Sequence, residues 1–441
     1  MQPCDTLIKA GWIAPVEPES TLIEDGAIAI AAGRIVAVGH ARELTKLWSP
    51  SRTVDRPAHL MIPGLINAHT HAAMSLLRGV AEDMPLERWL QEGVWPMEAE
   101  HVGPEMVRDG NRLAMLEMVR GGITCFNDMY FFPDVAAEVA SAARIRASLG
   151  LPVIDFPTAW ASNADEYIAK GQAVRDSVVS NPLISTQIAP HSTYTVSLEA
   201  LTRIRTLADQ LDMPIHIHLQ ETQVEVDQGV ALHGKRPVEY LDEIGIVNSN
   251  LLAAHMVAAT REDLVRFASN HASIVHCPSS NLKLASGFAP VAEMLSMGIN
   301  VAIGTDGAAS NNALDMIAET RLAGLVAKGR ENDATVLPAA TLLRMATLNG
   351  ARALGLEDQT GSLVVGKWAD VTCVNLDAAH CVPIHDPVAT LFYAANRNDV
   401  SDVWVAGVPV LEKRQHTTLD AERILARTAE WSQKLSTPDN K

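Results

Sequence analysis

The 441-residue chain is 48% hydrophobic and 20% charged, with a formal net charge of -17, a balance that fits one large globular domain plus a smaller module. So anionic a body repels phosphate backbones and anionic lipid, which excludes nucleic acid and membrane surfaces as partners and leaves small neutral or zwitterionic substrates. Five scattered cysteines, Cys4, Cys125, Cys277, Cys373 and Cys381, lack the close spacing of a thiolate zinc site or a redox motif and read as free thiols of a reducing compartment.

In chain order, the first twenty residues carry Asp5, Lys9 and Glu17 among prolines and lack the apolar segment of a secretion signal. No uninterrupted apolar run approaches the roughly 20 residues of a bilayer span, so a cytoplasmic protein is expected. Residues 26–39 hold two short apolar strands around a turn at Gly33. From Pro63 onward, short apolar strands alternate with amphipathic stretches. The predicted strands are 65–71, 122–128, 152–156, 185–190, 215–219, 251–255, 273–276 and 300–305. Between the first two, residues 77–101 read as an inserted loop and helix. A helix opened by Pro104 follows, with Met106, Leu113, Leu116 and Val119 along one stripe. Beyond Gly366 the strand texture returns at 369–375 and 403–410, and the tail after Ser436 is polar and reads as loose.

Eight strands, each followed by room for a helix, predict an α/β fold: a (β/α)8 TIM-like barrel over 63–366. The β-rich flanks, 1–62 and 367–441, are expected to assemble one small β-sandwich domain from both termini. No repeat with a period of 20–50 residues and no low-complexity segment interrupts this plan.

Polar residues collect where the predicted strands end, and in such a barrel those ends face the active site. The first is Asn67-Ala-His69-Thr-His71. Residues two apart on a strand point the same way, so both imidazoles aim at one point inside the barrel, where a divalent metal is the natural occupant. One His-x-His is weak grounds for a metal site. Here strand five also ends in His216-Ile-His218-Leu-Gln-Glu221, strand six in His255, and strand eight in Gly304-Thr-Asp306-Gly307. Without a shared occupant, these imidazoles and carboxylates would be desolvated without partners at roughly 1–3 kcal/mol each.

With these residues assembled, the chain resembles the amidohydrolase superfamily, and within it the methylthioadenosine/S-adenosylhomocysteine deaminase group. The resemblance rests on Pro63-Gly-Leu-Ile-Asn-Ala-His-Thr-His71, Ala189-Pro-His-Ser192, His216-Ile-His-Leu-Gln-Glu-Thr222, the stretch 276–287, Gly304-Thr-Asp306 and Gly366-Lys-Trp-Ala-Asp370. It implies that His69, His71, His218 and Asp306 ligate one divalent metal, with Zn2+ the first choice and Fe2+ also suited to three imidazoles and a carboxylate. His216 is then a packed or supporting histidine. The implied reaction is hydrolytic deamination of an adenosine-type nucleoside. Glu221 protonates the ring nitrogen, His255 orients the attacking hydroxide, and Asp306 carries its proton to the leaving amine.

By the same resemblance, Glu98 accepts hydrogen bonds from both ribose hydroxyls and His191 touches the nucleoside. Trp89, Trp95, Trp160, Phe131 and Phe132 are available for apolar contact with a base or thioether. Related enzymes meet the homocysteine carboxylate with an arginine after strand three. This chain has leucine or glycine there, which favours 5′-methylthioadenosine over S-adenosylhomocysteine. Guanine or other aminopurine deaminases and triazine hydrolases share the scaffold, and Glu98 discriminates, because a free base offers it no ribose. Hydantoinase-type chemistry would need a carboxylated lysine where His191 stands. The cytidine-deaminase fold would need a His-x-Glu with a downstream Pro-Cys-x-x-Cys, which the chain lacks. A catalytically inactive barrel serving as an interaction scaffold is the rival from another class, and the complete ligand set argues against it. A homo-oligomer is expected.

Overall fold

The computed structural model describes residues 1–436, so the tail expected to be loose lies outside the described residues. The chain divides into two compact units. The first comprises Met1–Asn67, Glu117–Cys125 and Asp315–Leu419, the second Ala68–Leu116, Phe126–Leu314 and Asp420–Lys441. Strands β1 (Gln2–Ile13), β2 (Ile23–Ala31), β3 (Arg34–His40) and β4 (Trp48–Pro63) open the chain. Eight short strands follow: β5 (Leu65–Thr70), β6 (Ile123–Met129), β7 (Arg146–Val153), β8 (Ile184–Pro190), β9 (Ile215–Leu219), β10 (Leu251–His255), β11 (Ser273–His276) and β12 (Asn300–Ile303). The last four are β13 (Val371–Asn375), β14 (Val400–Val405), β15 (Val408–Glu412) and β16 (Gln415–His416).

In the first unit, β1–β4 and β13–β16 make one eight-stranded sheet in the order β16-β15-β14-β13-β4-β1-β2-β3. Its pairings are antiparallel except for β1 with β4. Side chains alternate between faces, as the pleat requires. Ile28 and Ile30 share a buried cluster with Ile8, Val371 and Trp404, while Ala27 and Ala29 pack with Leu7 and Leu44. Strands β3 and β14 are far apart in the sheet order, yet Ile35 and Trp404 belong to the same cluster. The sheet is therefore folded over, and its end hairpins meet. At Gly33 (φ 76°) a Cβ would stand 2.6 Å from the Ala406 carbonyl oxygen, so only glycine fits. The expected sandwich is thus a single sheet closed upon itself.

Strands β5–β12 form the second sheet in strictly sequential order, with parallel pairing. The seam between the first and last strands is closed by Asp306 N–H donating to His69 O (3.0 Å) and by Thr70 Oγ1 donating to Asp306 O (2.9 Å). All eight predicted strands are present, but β7 begins at Arg146 rather than 152. Gly150 obscured it. That glycine breaks the apolar run because a Cβ there would meet Ala189 Cβ and Asp128 O at 2.9 Å.

The inserted segment folds as a short 3-10 turn (Ala72–Leu77) and then a helical run through Leu86–Arg88, a π-turn at Trp89–Val94 and Trp95–His101. Its apolar side shares one cluster with Tyr130 and with Trp431 of the closing helix Ala421–Ser436. Trp431 Nε1 donates to Asp109 Oδ2 (2.9 Å), as does Arg427 Nε (2.7 Å), which anchors that helix on the second unit. Among the described residues, no helix is long and apolar enough to cross a membrane.

Candidate active site

The C-terminal ends of the barrel strands converge on one cavity of about 260 Å³. His71, Glu98, His191, His218, Glu221, His255 and Asp306 all stand in its wall, and His69 lies fully buried beneath them. The positioning has a backbone cost. Both His255 (φ 76°) and Asp306 (φ 59°) adopt the left-handed region, at about 1–3 kcal/mol each for a residue with a Cβ. Hydrogen bonds hold the neighbouring turns, with Met256 N–H on Leu219 O (3.1 Å) and Gly307 N–H on Asp306 Oδ1 (2.8 Å).

One ligand atom each from His69, His71, His218 and Asp306 lies within 4.8 Å of the other three. Nε2 of His71 and Nε2 of His69 stand 3.1 and 3.2 Å from Asp306 Oδ1, and Nε2 of His218 stands 3.3 Å from Nε2 of His71. The far side of two rings is already committed. His71 Nδ1 donates to Met129 O (2.6 Å) and His218 Nδ1 to His191 O (2.7 Å). That fixes the tautomer that presents Nε2 to the centre, the usual support of a metal-bound imidazole. His69 has no aligned hydrogen-bond partner at either nitrogen despite complete burial. Such an orphan is costly unless a cation occupies the centre. Burial works to raise the Asp306 carboxyl, but the imidazoles of His69 and His71 beside it hold it well below the usual range. Three imidazoles and one carboxylate fit a single divalent ion of the zinc type.

Ser280 and Ser310 hydroxyls donate to Asp306 Oδ2 at 2.7 and 2.8 Å, orienting the other oxygen to the centre. His255 Nδ1 faces Asn281 Oδ1 at 2.8 Å and so carries the proton. Its Nε2 is left toward the cavity, 3.8 Å from Glu221 Oε2. Burial raises the Glu221 carboxyl, which favours its protonated form, although His255 opposes the shift. The Glu221 backbone N–H is pinned to Glu225 Oε2 (2.9 Å), and Thr193 Oγ1 donates to Glu225 Oε1 (2.8 Å).

The rest of the cavity wall is mostly apolar, with Leu90, Val94, Trp95, Ile154, Phe156 and Leu284 in it. Trp95 meets Phe156 edge-on with ring centroids 5.9 Å apart. Glu98 Oε1 accepts from the Tyr130 hydroxyl at 2.7 Å, and burial pushes Glu98 up to about 7 against that hydrogen bond. Burial also keeps His191 neutral, with its pKa lowered to about 3. His216 points below the ligands. Its Nδ1 lies 3.2 Å from Asn127 Nδ2, and its ring is edge-on to His69. Trp89 and Phe131 join the wall, whereas Phe132 and Trp160 do not.

Sequence reasoning missed Tyr130, Glu225, Asn281 and the two serines. Asn281 and Ser280 sit inside the stretch 276–287 singled out for its resemblance, so a signal existed. Tyr130 and Glu225 carried none beyond lying just after a strand end and four residues past Glu221.

Comparison with known proteins agrees with this geometry. The model of the Amidohydrolase family matches residues 60–410. A 5-methylthioadenosine/S-adenosylhomocysteine deaminase of Teredinibacter turnerae is 45% identical over 431 residues, which cover 98% of each chain. The crystal structure of an adenosine deaminase from Xanthomonas campestris with bound zinc superimposes with a TM-score of 0.98. It is 50% identical and covers 99% of this chain and 100% of that one. An atrazine chlorohydrolase from Arthrobacter aurescens, complexed with zinc, reaches a TM-score of 0.90 at 27% identity, over 97% of this chain and 100% of that one.

Proposed function

The chain belongs to the amidohydrolase family, and from that premise we propose that it hydrolyses the 6-amino group of adenosine-type nucleosides, giving the inosine analogue and ammonia, with 5′-methylthioadenosine the preferred substrate. The observation that carries this reading is the pairing, in one cavity, of a proton-donating Glu221 at the ligand cluster with Glu98 across an apolar wall. A free base or a triazine would use the first carboxyl and bring no ribose hydroxyls to the second.

A divalent ion held by His69, His71, His218 and Asp306 supplies Lewis acidity, lowering the pKa of a water from about 15.7 toward neutrality. The protein's own groups do the rest. Glu221 gives its proton to the ring nitrogen next to the carbon under attack, where negative charge builds. His255, fixed by Asn281, aligns the attacking oxygen through Nε2. Asp306 takes the proton released there and passes it to the departing amine. Glu98 receives the ribose hydroxyls, a bidentate task suited to a carboxylate. His191, held neutral, offers Nε2 to the nucleoside.

The 5′ substituent then meets aromatic and aliphatic surface. No lysine or arginine lines the cavity among the described residues, so the carboxylate of S-adenosylhomocysteine finds no cation there. The test is ammonia release from methylthioadenosine, S-adenosylhomocysteine, adenosine, guanine and melamine. The highest kcat/KM is expected on methylthioadenosine. Comparable efficiency on S-adenosylhomocysteine would sink the preference, and turnover confined to guanine or melamine would sink the nucleoside reading. Five buried cysteines, none of them in a disulfide, support a cytoplasmic setting. The strong negative charge supports the absence of nucleic-acid partners. A homo-oligomer, checked by light scattering, completes the proposal.

A further inference from the structure

Glu98 does not hold itself in place. It sits on a seven-residue helix, Trp95–His101, that has no side-chain N-cap and follows a π-turn. Such a helix has little rigidity of its own. What reaches the carboxylate comes from the barrel. Tyr130 follows the end of β6, is 6% exposed, and donates its hydroxyl to Glu98 Oε1 at 2.7 Å. Its ring is wedged against Phe131, centroids 5.2 Å apart, and tilts toward the ligand His71 at 6.5 Å. Burial raises the phenol well above its ordinary value, so it remains a neutral donor throughout the working pH range. A carboxylate has about four lone-pair sites. Tyr130 takes one on Oε1 and leaves Oε2 and the remaining site for two further donors. Its donation also favours the ionised, accepting form of Glu98 over the neutral form that burial promotes.

We propose that Tyr130 is a positioning residue for ribose recognition: its hydroxyl ties the inserted segment to the barrel and fixes Glu98 in the orientation that accepts both ribose hydroxyls. The proposal rests on the nucleoside reading above. Tyr130 acts through Glu98, to which its hydroxyl donates.

The test is a double-mutant cycle with methylthioadenosine, using Tyr130→Phe, Glu98→Ala and the pair. Y130F is expected to raise KM about tenfold, the loss of one hydrogen bond to a charged group, while kcat falls by less than about threefold. In the Glu98→Ala background the same substitution adds nothing. Inhibition constants supply a second measurement that general loosening of the fold would move differently. Y130F weakens the ribosylated product, methylthioinosine, and leaves free hypoxanthine as it was. An unchanged KM in Y130F, a penalty that persists in full beside Glu98→Ala, or equal weakening of hypoxanthine would each overturn the proposal alone. A wild-type enzyme that turns over no nucleoside would overturn the functional reading and this proposal with it.

Discussion

The folded-over sheet and the barrel mouth bury polar groups in opposite ways. In the sheet, Asp402 is fully buried, yet it takes both Nε and Nη2 of Arg56, at 2.7 and 2.6 Å, and the Lys413 N–H. Asp370 likewise accepts from Thr360 Oγ1 and Ala406 N–H. These polar groups satisfy one another. In the barrel, ring nitrogens of His69, His216 and His276 are buried without an aligned hydrogen bond, although His69 Nε2 stands 3.2 Å from Asp306 Oδ1, and His255 and Asp306 sit at positive φ. The sheet has exceptions in His59 and His416, but those rings face different neighbours, whereas in the barrel the rings of His69 and His216 meet edge-on, 4.9 Å apart. A complete network stabilises a fold, while an incomplete and strained one is shaped to receive something from outside.

That contrast can be broken or sharpened by experiment. The largest expected effect is at the proposed proton donor. Glu221→Gln should lower kcat about 100- to 10,000-fold with the melting curve unmoved, because the role proposed for Glu221 lies in the reaction and not in the sheet. Next, Trp404→Ala in the sheet core, where the side chain is 1% exposed, should cost about 3–5 kcal/mol in denaturant unfolding. The kcat and KM of the folded fraction should stay the same. A changed KM there would mean that the two regions are not separable. Third, chelation should abolish ammonia release and zinc should restore it. It should also remove about 2.7 kcal/mol of stability, if the ion had stood at a hundred times its Kd. Hydrogen exchange should quicken at the ends of β5, β9 and β10 and stay constant in β1 and β2.

The smallest effect is a pH dependence. Burial raises Glu98 to about 7, so the ionised form proposed to accept ribose is lost as pH falls through that value. The KM for methylthioadenosine should therefore rise up to about tenfold per pH unit below 7, while the inhibition constant of adenine, which has no ribose, should not follow it. A flat KM between pH 5 and 7 would remove Glu98 from ribose recognition.

Much of the barrel was legible because its signals are local. A strand period of two puts His69 with His71 and His216 with His218, and the ends of strands are where such pairs become chemistry. The choice of His218 over His216 came from resemblance; in the structure His218 stands in the cavity wall and in the cluster with His69, His71 and Asp306, while His216 Nδ1 faces Asn127. The start of β7 was hidden because Gly150 answers to Ala189 and Asp128, residues distant in sequence. The parallel pairing of β1 with β4, and the meeting of Gly33 with Ala406, are long-range facts with no local signature. The same holds for Tyr130. A tyrosine after a strand is ordinary until the inserted helix brings Glu98 to it.

The interleaving of the two units also bears on how the chain is made. The sheet needs residues 1–67 and strands that lie beyond 370, and the barrel unit takes its outer helix from beyond 420. Neither unit owns its full set of residues until the ribosome has passed residue 419. Domain-by-domain folding from the N-terminus, the usual safeguard of large chains during synthesis, is therefore closed to this one. Nascent β1–β4 must wait for their partners with one edge open, which makes the growing chain a natural client for chaperones. A premature stop near residue 360 would take β13–β16 from the sheet and the closing helix from the barrel unit.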